Sequence, residues 1–205
     1  MIYSIVIAAV VLSLAQDSPG PGSQMGDGVR DSDHVEMPAE ENTSRIPTYA
    51  DVGGWHIVKS PDGCSAVLVV QREGEPVNYL MFYYRPAKAL VEISFSSQHS
   101  SSLAAGDSRL LDIYFFDGNR QIDGRYNRVR FTVLEDGEGA RTFKSDPGLK
   151  ANIFTNVMKG SEVAFFYQSR IITLYPLFST TKMVPVLKKC AFEVTGLDPR
   201  DPFIQ

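Results

Sequence analysis

Four arginines and a tyrosine crowd one short stretch of this chain: Arg120, Arg125, Tyr126, Arg128 and Arg130. Guanidinium groups at this density suit a phosphate, a lipid head group or an acidic partner, because each presents a planar fork of donors that stays charged at any ordinary pH. Arg128 and Arg130 are two residues apart, the spacing that puts both on the outer face of one strand. The competing reading is a solvated face on which the same arginines are salt-bridged. Nucleic acid is disfavoured as a partner, because Asp123 breaks the patch and the folded part of the chain is nearly neutral.

The other residues capable of chemistry are sparse. His34, His56 and His99 do not have metal-ligand spacing, and neither cysteine is near His56 or His99 in the metal-site patterns. The sequence therefore implies neither a metal nor a cofactor. His99 lies among serines (Ser96 to Ser102), which keeps a Ser/His hydrolase site open as an alternative function. There is no G-x-S-x-G elbow to support it, and a solvated turn explains the composition as well. Asp112, Asp117 and Asp123 invite thoughts of acid catalysis or calcium. Asp117 and Asp123 each precede glycine, as turns require, Asp112 belongs to the polar face of a strand, and the twelve-residue calcium loop is not matched. The aromatic run Tyr79, Phe82, Tyr83 and Tyr84 suits either a ligand groove or core packing.

Two cysteines, Cys64 and Cys190, stand near the two ends of the folded part. In an exported chain an even count of two most simply means one disulfide, with a free buried pair or a redox-active pair as alternatives. No C-x-x-C spacing supports the redox form.

The elements that must position these residues read as strands. Val91, Ile93 and Phe95 alternate with Glu92, Ser94 and Ser96. Leu111, Ile113 and Phe115 alternate with Asp112 and Tyr114, and Val129, Phe131 and Val133 alternate with Arg128, Arg130 and Thr132. Such a period of two puts one face on a core and the other toward water. Ala66 to Val70 and Tyr79 to Tyr84 are apolar on both faces, as central strands are. Val163 to Tyr167 and Ile171 to Tyr175 add two more strands. Pro61-Asp62-Gly63, Glu73-Gly74-Glu75-Pro76, Asp117-Gly118-Asn119, Asp123-Gly124 and Glu135-Asp136-Gly137 supply the turns. The pattern predicts a mainly β fold, an antiparallel β-sandwich or partly open barrel, with one or two short helices near the C-terminal end. The first helix is expected to open at Asp146-Pro147, run through Met158 and stop at Gly160. The second is expected near Thr180 to Cys190, capped by Ser179 and kinked or begun at Pro185.

Ahead of these elements, Ile2 to Ala15 form an apolar run that would cover roughly 21 Å as a helix, short of a bilayer core of about 30 Å. It ends in Ser13-Leu14-Ala15, a small-x-small pattern, and then turns polar. Residues 1–15 therefore read as a cleavable signal peptide, with an uncleaved anchor or a buried strand as alternatives. No later apolar run is long enough to cross a membrane. Residues 16–50 carry seven acids against Arg30 and Arg45, while the rest of the chain holds 17 acids and 18 bases. The acidity thus belongs to this segment. Poor in large apolar residues and rich in Pro, Gly and Ser, it is expected to be a disordered linker with one glycosylation sequon at Asn42. Residues 51–197 form the β-rich domain and 198–205 a C-terminal tail.

The order of features along the domain also resembles a known family. Gly54-Trp55-His56-Ile57-Val58 followed by Cys64-Ser65-Ala66 opens it. Gly160-Ser161-Glu162-Val163, then Leu174-Tyr175-Pro176-Leu177-Phe178-Ser179-Thr180 and Leu187-Lys188-Lys189-Cys190, close it. This is similar to the small exported β-sandwich proteins of alphaproteobacteria related to the invasion-associated locus B family; Pro185 and the long linker depart from that pattern. The resemblance, spread over residues 54–190, implies a periplasmic or secreted domain with an interaction or envelope role. It carries no catalytic residue to transfer. The expected function is a non-enzymatic exported β-domain that binds an envelope protein, glycan or lipid.

Overall fold

The computed structural model describes residues 48–71, 77–97, 103–122, 124–135, 141–146 and 148–200. The expected signal, the expected linker up to residue 47 (with His34 and Asn42), His99, Asp123, Pro147 and the last five residues lie outside them.

The described residues form one antiparallel sheet of twelve strands. They are β1 (Thr48–Val52), β2 (Trp55–Ser60), β3 (Gly63–Val70), β4 (Asn78–Arg85), β5 (Leu90–Ser97), β6 (Ser108–Asp117), β7 (Arg120–Gln121), β8 (Tyr126–Glu135), β9 (Arg141–Ser145), β10 (Leu149–Lys150), β11 (Glu162–Tyr167) and β12 (Arg170–Pro176). Helix α1 (Ile153–Lys159) precedes β11, and α2 (Thr180–Thr195) follows β12. The strand order is β1-β2-β3-β4-β5-β9-β8-β6-β11-β12, with β10 on β5 and β7 on β6. The fold is thus mainly β with two helices, as the alternation predicts. Its folded part starts earlier than position 51, because Thr48 to Val52 pair with Val58 to Trp55.

The sheet curls at β5. Phe95 of β5 stacks on Phe165 of β11 with ring centroids 3.9 Å apart, and on Phe143 of β9 at 4.9 Å. Phe131 of β8 meets the same cluster edge-on. From β12, the Tyr175 hydroxyl donates to the Ser96 carbonyl, while Ser97 Oγ donates to the Ile172 carbonyl at 3.4 Å. The last strand of the path therefore returns to β5, and β5 to β12 wrap a phenylalanine core as a partly open barrel.

This curl overturns one expectation. Glu92, Ser94 and Ser96 alternate with core residues as though they faced water, yet all three are buried. Their neighbours are long enough to cover them. Arg85 Nη2 and Lys144 Nζ reach over to Glu92, the latter at 3.3 Å, and Tyr79 bonds Thr142 across the strand between them at 2.9 Å. Ser96 Oγ accepts from the Tyr79 amide at 2.8 Å.

The remaining half, β1 to β5, is capped by the helices. Met183, Val184, Leu187, Cys190 and Ala191 form the buried stripe of α2, at the spacing that keeps one helix face inward. Trp55 packs on Phe82, and Phe82 and Tyr84 meet Phe154 of α1 edge-on. Cys64 of β3 and Cys190 of α2 form a disulfide with Cα atoms 6.1 Å apart. The turn Gly53-Gly54 runs close beneath the start of α2: at Gly53, with φ of 54°, a Cβ would lie 2.3 Å from Ser179 Oγ. Trp55 Nε1 donates to the Phe178 carbonyl at 2.9 Å and holds the same corner.

Both helices depart from their expected bounds. Leu149 and Lys150, expected in the first helix, instead pair with Val91 and Leu90 of β5. Gly148 lets the backbone approach there, since a Cβ would stand 3.0 Å from the Val91 carbonyl oxygen. The ladder holds this segment extended, so the helix is only Ile153–Lys159, with Gly160 donating its amide to the Asn156 carbonyl as the expected stop. The second helix begins at Thr180, as expected, but continues through Pro185 to Thr195. Pro185 and Thr181 are both exposed, so water can satisfy the Thr181 carbonyl that the proline leaves without a donor. Ser179 does not cap with its side chain; its φ is 59° and its carbonyl accepts from Lys182 and Met183. Thr180 Oγ1 ties the two helices together by donating to the Val157 carbonyl at 2.9 Å.

The disulfide spans 126 residues, and on the chain-entropy model a loop of that length is worth roughly 4–5 kcal/mol. Replacing both Cys64 and Cys190 by alanine is expected to lower the unfolding free energy by up to about that amount. Urea titration of the variant against the oxidised parent checks it, and an equal midpoint would show that helix packing alone holds this half.

Candidate functional site

The arginine stretch is built around a bulge. Leu111 pairs with Val129 and Ile113 with Tyr126, so two residues of β8 oppose Asp112 alone. Arg128 takes the extra turn with φ of 55°, in the left-handed region that side chains with a Cβ rarely adopt. Its amide, freed from the ladder, is captured by Asp112 Oδ1 at 2.7 Å. Asp112 is therefore a bulge anchor, which answers the question its position on a polar face raises.

The bulge sorts the stretch into two sides. Tyr126 turns inward: its ring lies edge-on to Phe115 at 6.2 Å, and Asn156 Nδ2 donates to its hydroxyl at 3.5 Å. Burial pushes its phenol above the ordinary tyrosine range. Arg120, Arg125, Arg128 and Arg130 are exposed. Among the described residues none of the four enters an ion pair.

What lies beside them is apolar. Arg130 stands opposite Leu110 of β6, which is 41% exposed. Two residues on, Asp112 faces Phe166 of β11, and Phe166 faces Ile171 of β12, 60% exposed. The next row runs from Tyr114 through Ala164 to Leu174, 41% exposed. The Tyr114 and Phe166 rings meet edge-on at 4.9 Å. Between them Asp112, Tyr114, Phe116, Gln121, Phe166 and Ser169 line a shallow depression of about 280 Å³. The outer face of β8, β6, β11 and β12 is thus an apolar surface with an arginine margin that enters no ion pair among the described residues, although Asp112 and Asp117 lie beside it. Sequence alternation locates Arg128 and Arg130 but not Leu110, Ile171 or Leu174. The available signal is the doublets Leu110-Leu111 and Ile171-Ile172, where alternation forces one apolar residue of each pair outward.

Several other titratable groups are engaged in structure. His56 Nδ1 bonds Asp51 Oδ1 at 2.5 Å, the arrangement that orients an imidazole base, but among the described residues no partner meets its buried Nε2. Glu92, held between Arg85 and Lys144, clamps β4, β5 and β9. Of the serines near His99, Ser96 and Ser97 spend their hydroxyls on neighbouring strands; His99 itself lies outside the described residues. Asp117 faces Arg120 across the tight turn that Gly118 makes with positive φ. Among the described residues no cluster of His, Cys, Asp and Glu could hold a metal ion, and no helix is long and apolar enough to cross a membrane.

The bulge gives a local test. Asp112→Ala leaves the Arg128 amide to water in a strained conformation and is expected to cost about 1 kcal/mol. Adding Arg128→Gly, which accepts a positive φ without strain, is expected to recover about half to all of it. Chemical denaturation of the three proteins measures both effects; an Asp112→Ala protein as stable as the parent would discount the anchor.

No protein-family model, curated protein or solved structure matches this chain.

Proposed function

We propose that this chain is an exported, non-enzymatic β-domain that binds at the cell envelope through the outer face of β6, β8, β11 and β12. The observation that carries the reading is the juxtaposition of arginines lacking ion pairs among the described residues with the exposed Leu110, Ile171 and Leu174. Apolar residues supply contact area and the guanidinium groups supply orientation and attraction toward an acidic partner. An envelope protein, an acidic glycan or a lipid head group has the matching chemistry. Three further features support export: the apolar N-terminal run ending in Ser13-Leu14-Ala15, the resemblance to the invasion-associated locus B proteins, and the Cys64–Cys190 bond, which suits an oxidising compartment. On this reading the protein works in the periplasm or outside the cell.

Cosedimentation with an envelope fraction tests the binding face. Reversing both Arg128 and Arg130 to Glu is expected to weaken association roughly tenfold at low salt, with a smaller effect at high salt, because exposed charges are screened. Arg128 stands at the bulge beside Asp112, so Arg130→Glu alone is measured in parallel and the melting curve of each variant is recorded. Unchanged association would remove this face from consideration.

A further inference from the structure

A groove of about 880 Å³ lies between α1 and α2 and is bordered by Leu197 and Pro199 of the turn after α2. That volume is within the roughly 300–1,000 Å³ of ordinary small-molecule sites. Its walls are mainly apolar. Tyr84 meets Phe154 edge-on at 5.6 Å and Phe192 at 6.1 Å, and Met158 and Leu197 also line the space. The Tyr84 phenol is pushed above its ordinary range by burial, which agrees with low polarity there.

The charges along the groove are unequal. Lys189 pairs with Glu193 at 3.8 Å, and Glu193 also accepts from the Tyr49 hydroxyl at 2.7 Å. Lys188, half-buried, has no carboxylate partner among the described residues; its ammonium sits over the Phe154 ring, 5.7 Å from the centroid. A cation held over a ring beside an apolar trough matches a ligand with one anionic end and one apolar chain. The trough is also built in advance. Leu187 and Cys190 anchor α2 in the core, the disulfide fixes it to β3, and Thr180 ties it to α1. A ligand entering such a site does not have to order the helices first.

We propose that this groove binds a free single-chain amphiphile with a carboxylate head, its chain against Phe154, Met158, Phe192 and Leu197 and its head group on Lys188. The site is separate from the arginine face, and its existence does not depend on that face binding anything.

Decanoate, kept below its micellar concentration, is the probe, with 1-decanol as its uncharged match. Titration of the disulfide-bonded protein, followed by amide NMR shifts, is expected to show saturable one-to-one binding of decanoate centred on residues 188–197. Lys188→Gln is expected to weaken decanoate roughly tenfold, the worth of one charge-assisted contact, while leaving decanol unchanged. Leu197→Asp, on the partly exposed turn, is expected to weaken both ligands. No saturable shifts in the parent protein would overturn the proposal, and so would decanoate binding indifferent to both substitutions. Binding that emerges only after removal of residues 201–205 would also overturn it, by assigning the groove to the chain's own Phe203 and Ile204.

Discussion

The contact on which this molecule most depends joins the middle of the sheet to its far end. Phe95 and Phe165 belong to strands separated by three others along the sheet path, β9, β8 and β6, yet their rings stack at 3.9 Å. A flat sheet would leave the inner faces of β5 to β12 in water, with Phe131, Phe143 and Phe165 exposed. Stacking them together removes several large aromatic surfaces from water, at about 25 cal/mol for each Å². It also forces β5 to be covered on both sides, because the strand then lies at the seam between the barrel and the half roofed by helices. The burial of Glu92 follows from that position. A carboxylate there is tolerable because Arg85 and Lys144 neutralise it.

The same curl fixes where function can reside. Inward positions of the barrel are filled by aromatic packing, which directs attention to the surface. On the barrel side, the bulge at Arg128 changes the phase of β8, sending Tyr126 inward while Arg128 and Arg130 remain outside. On the other side, the disulfide and the buried stripe of α2 fix that helix to the sheet beside α1, and the groove between them includes Tyr84. Each surface thus exists because a structural residue, Asp112 in one case and Cys190 in the other, sets the backbone that carries it.

Much of the fold is legible in the sequence because alternation and turn chemistry are local. The strands around Val91, Leu111, Val129 and Val163 follow directly from period-two patterning, and the pairing of Cys64 with Cys190 from their even count together with the expectation of export. What was not legible depends on partners far along the chain. Leu149 reads as helical until β5 offers it a ladder, and Pro185 reads as a breaker until the buried stripe on both sides of it outweighs one lost hydrogen bond. The site was half legible. Charge density picks out Arg128 and Arg130, but the apolar residues beside them come from β6 and β12, and only the register brings them together. Tyr126 could not be assigned to a side without knowing of the bulge.

The two ends of the sheet path show how this surface differs from an ordinary one. An edge strand invites unwanted pairing, and proteins usually blunt it with charge, a bulge or a cover. At β1 the cover is helix α2, with the Tyr49 hydroxyl bonded to Glu193 and Lys59 lying over the Tyr49 ring. At β12 the devices are weaker: Arg170 and Pro176 stand only at its two ends, and Ile171 and Leu174 are exposed between them. A single exposed leucine or isoleucine needs no explanation, since much of any protein surface is apolar. Three of them on one face, with Tyr114 and Phe166 between and arginines along the margin that enter no ion pair among the described residues, are harder to dismiss, because each such residue adds to the risk of aggregation. The arginines offset that risk by keeping the face charged and solvated while the partner is absent. On the proposed function, an acidic partner would neutralise them and make the same apolar residues the contact area. Charge that keeps such a face hydrated, beside apolar area that a partner could cover, is the combination the proposed binding role needs.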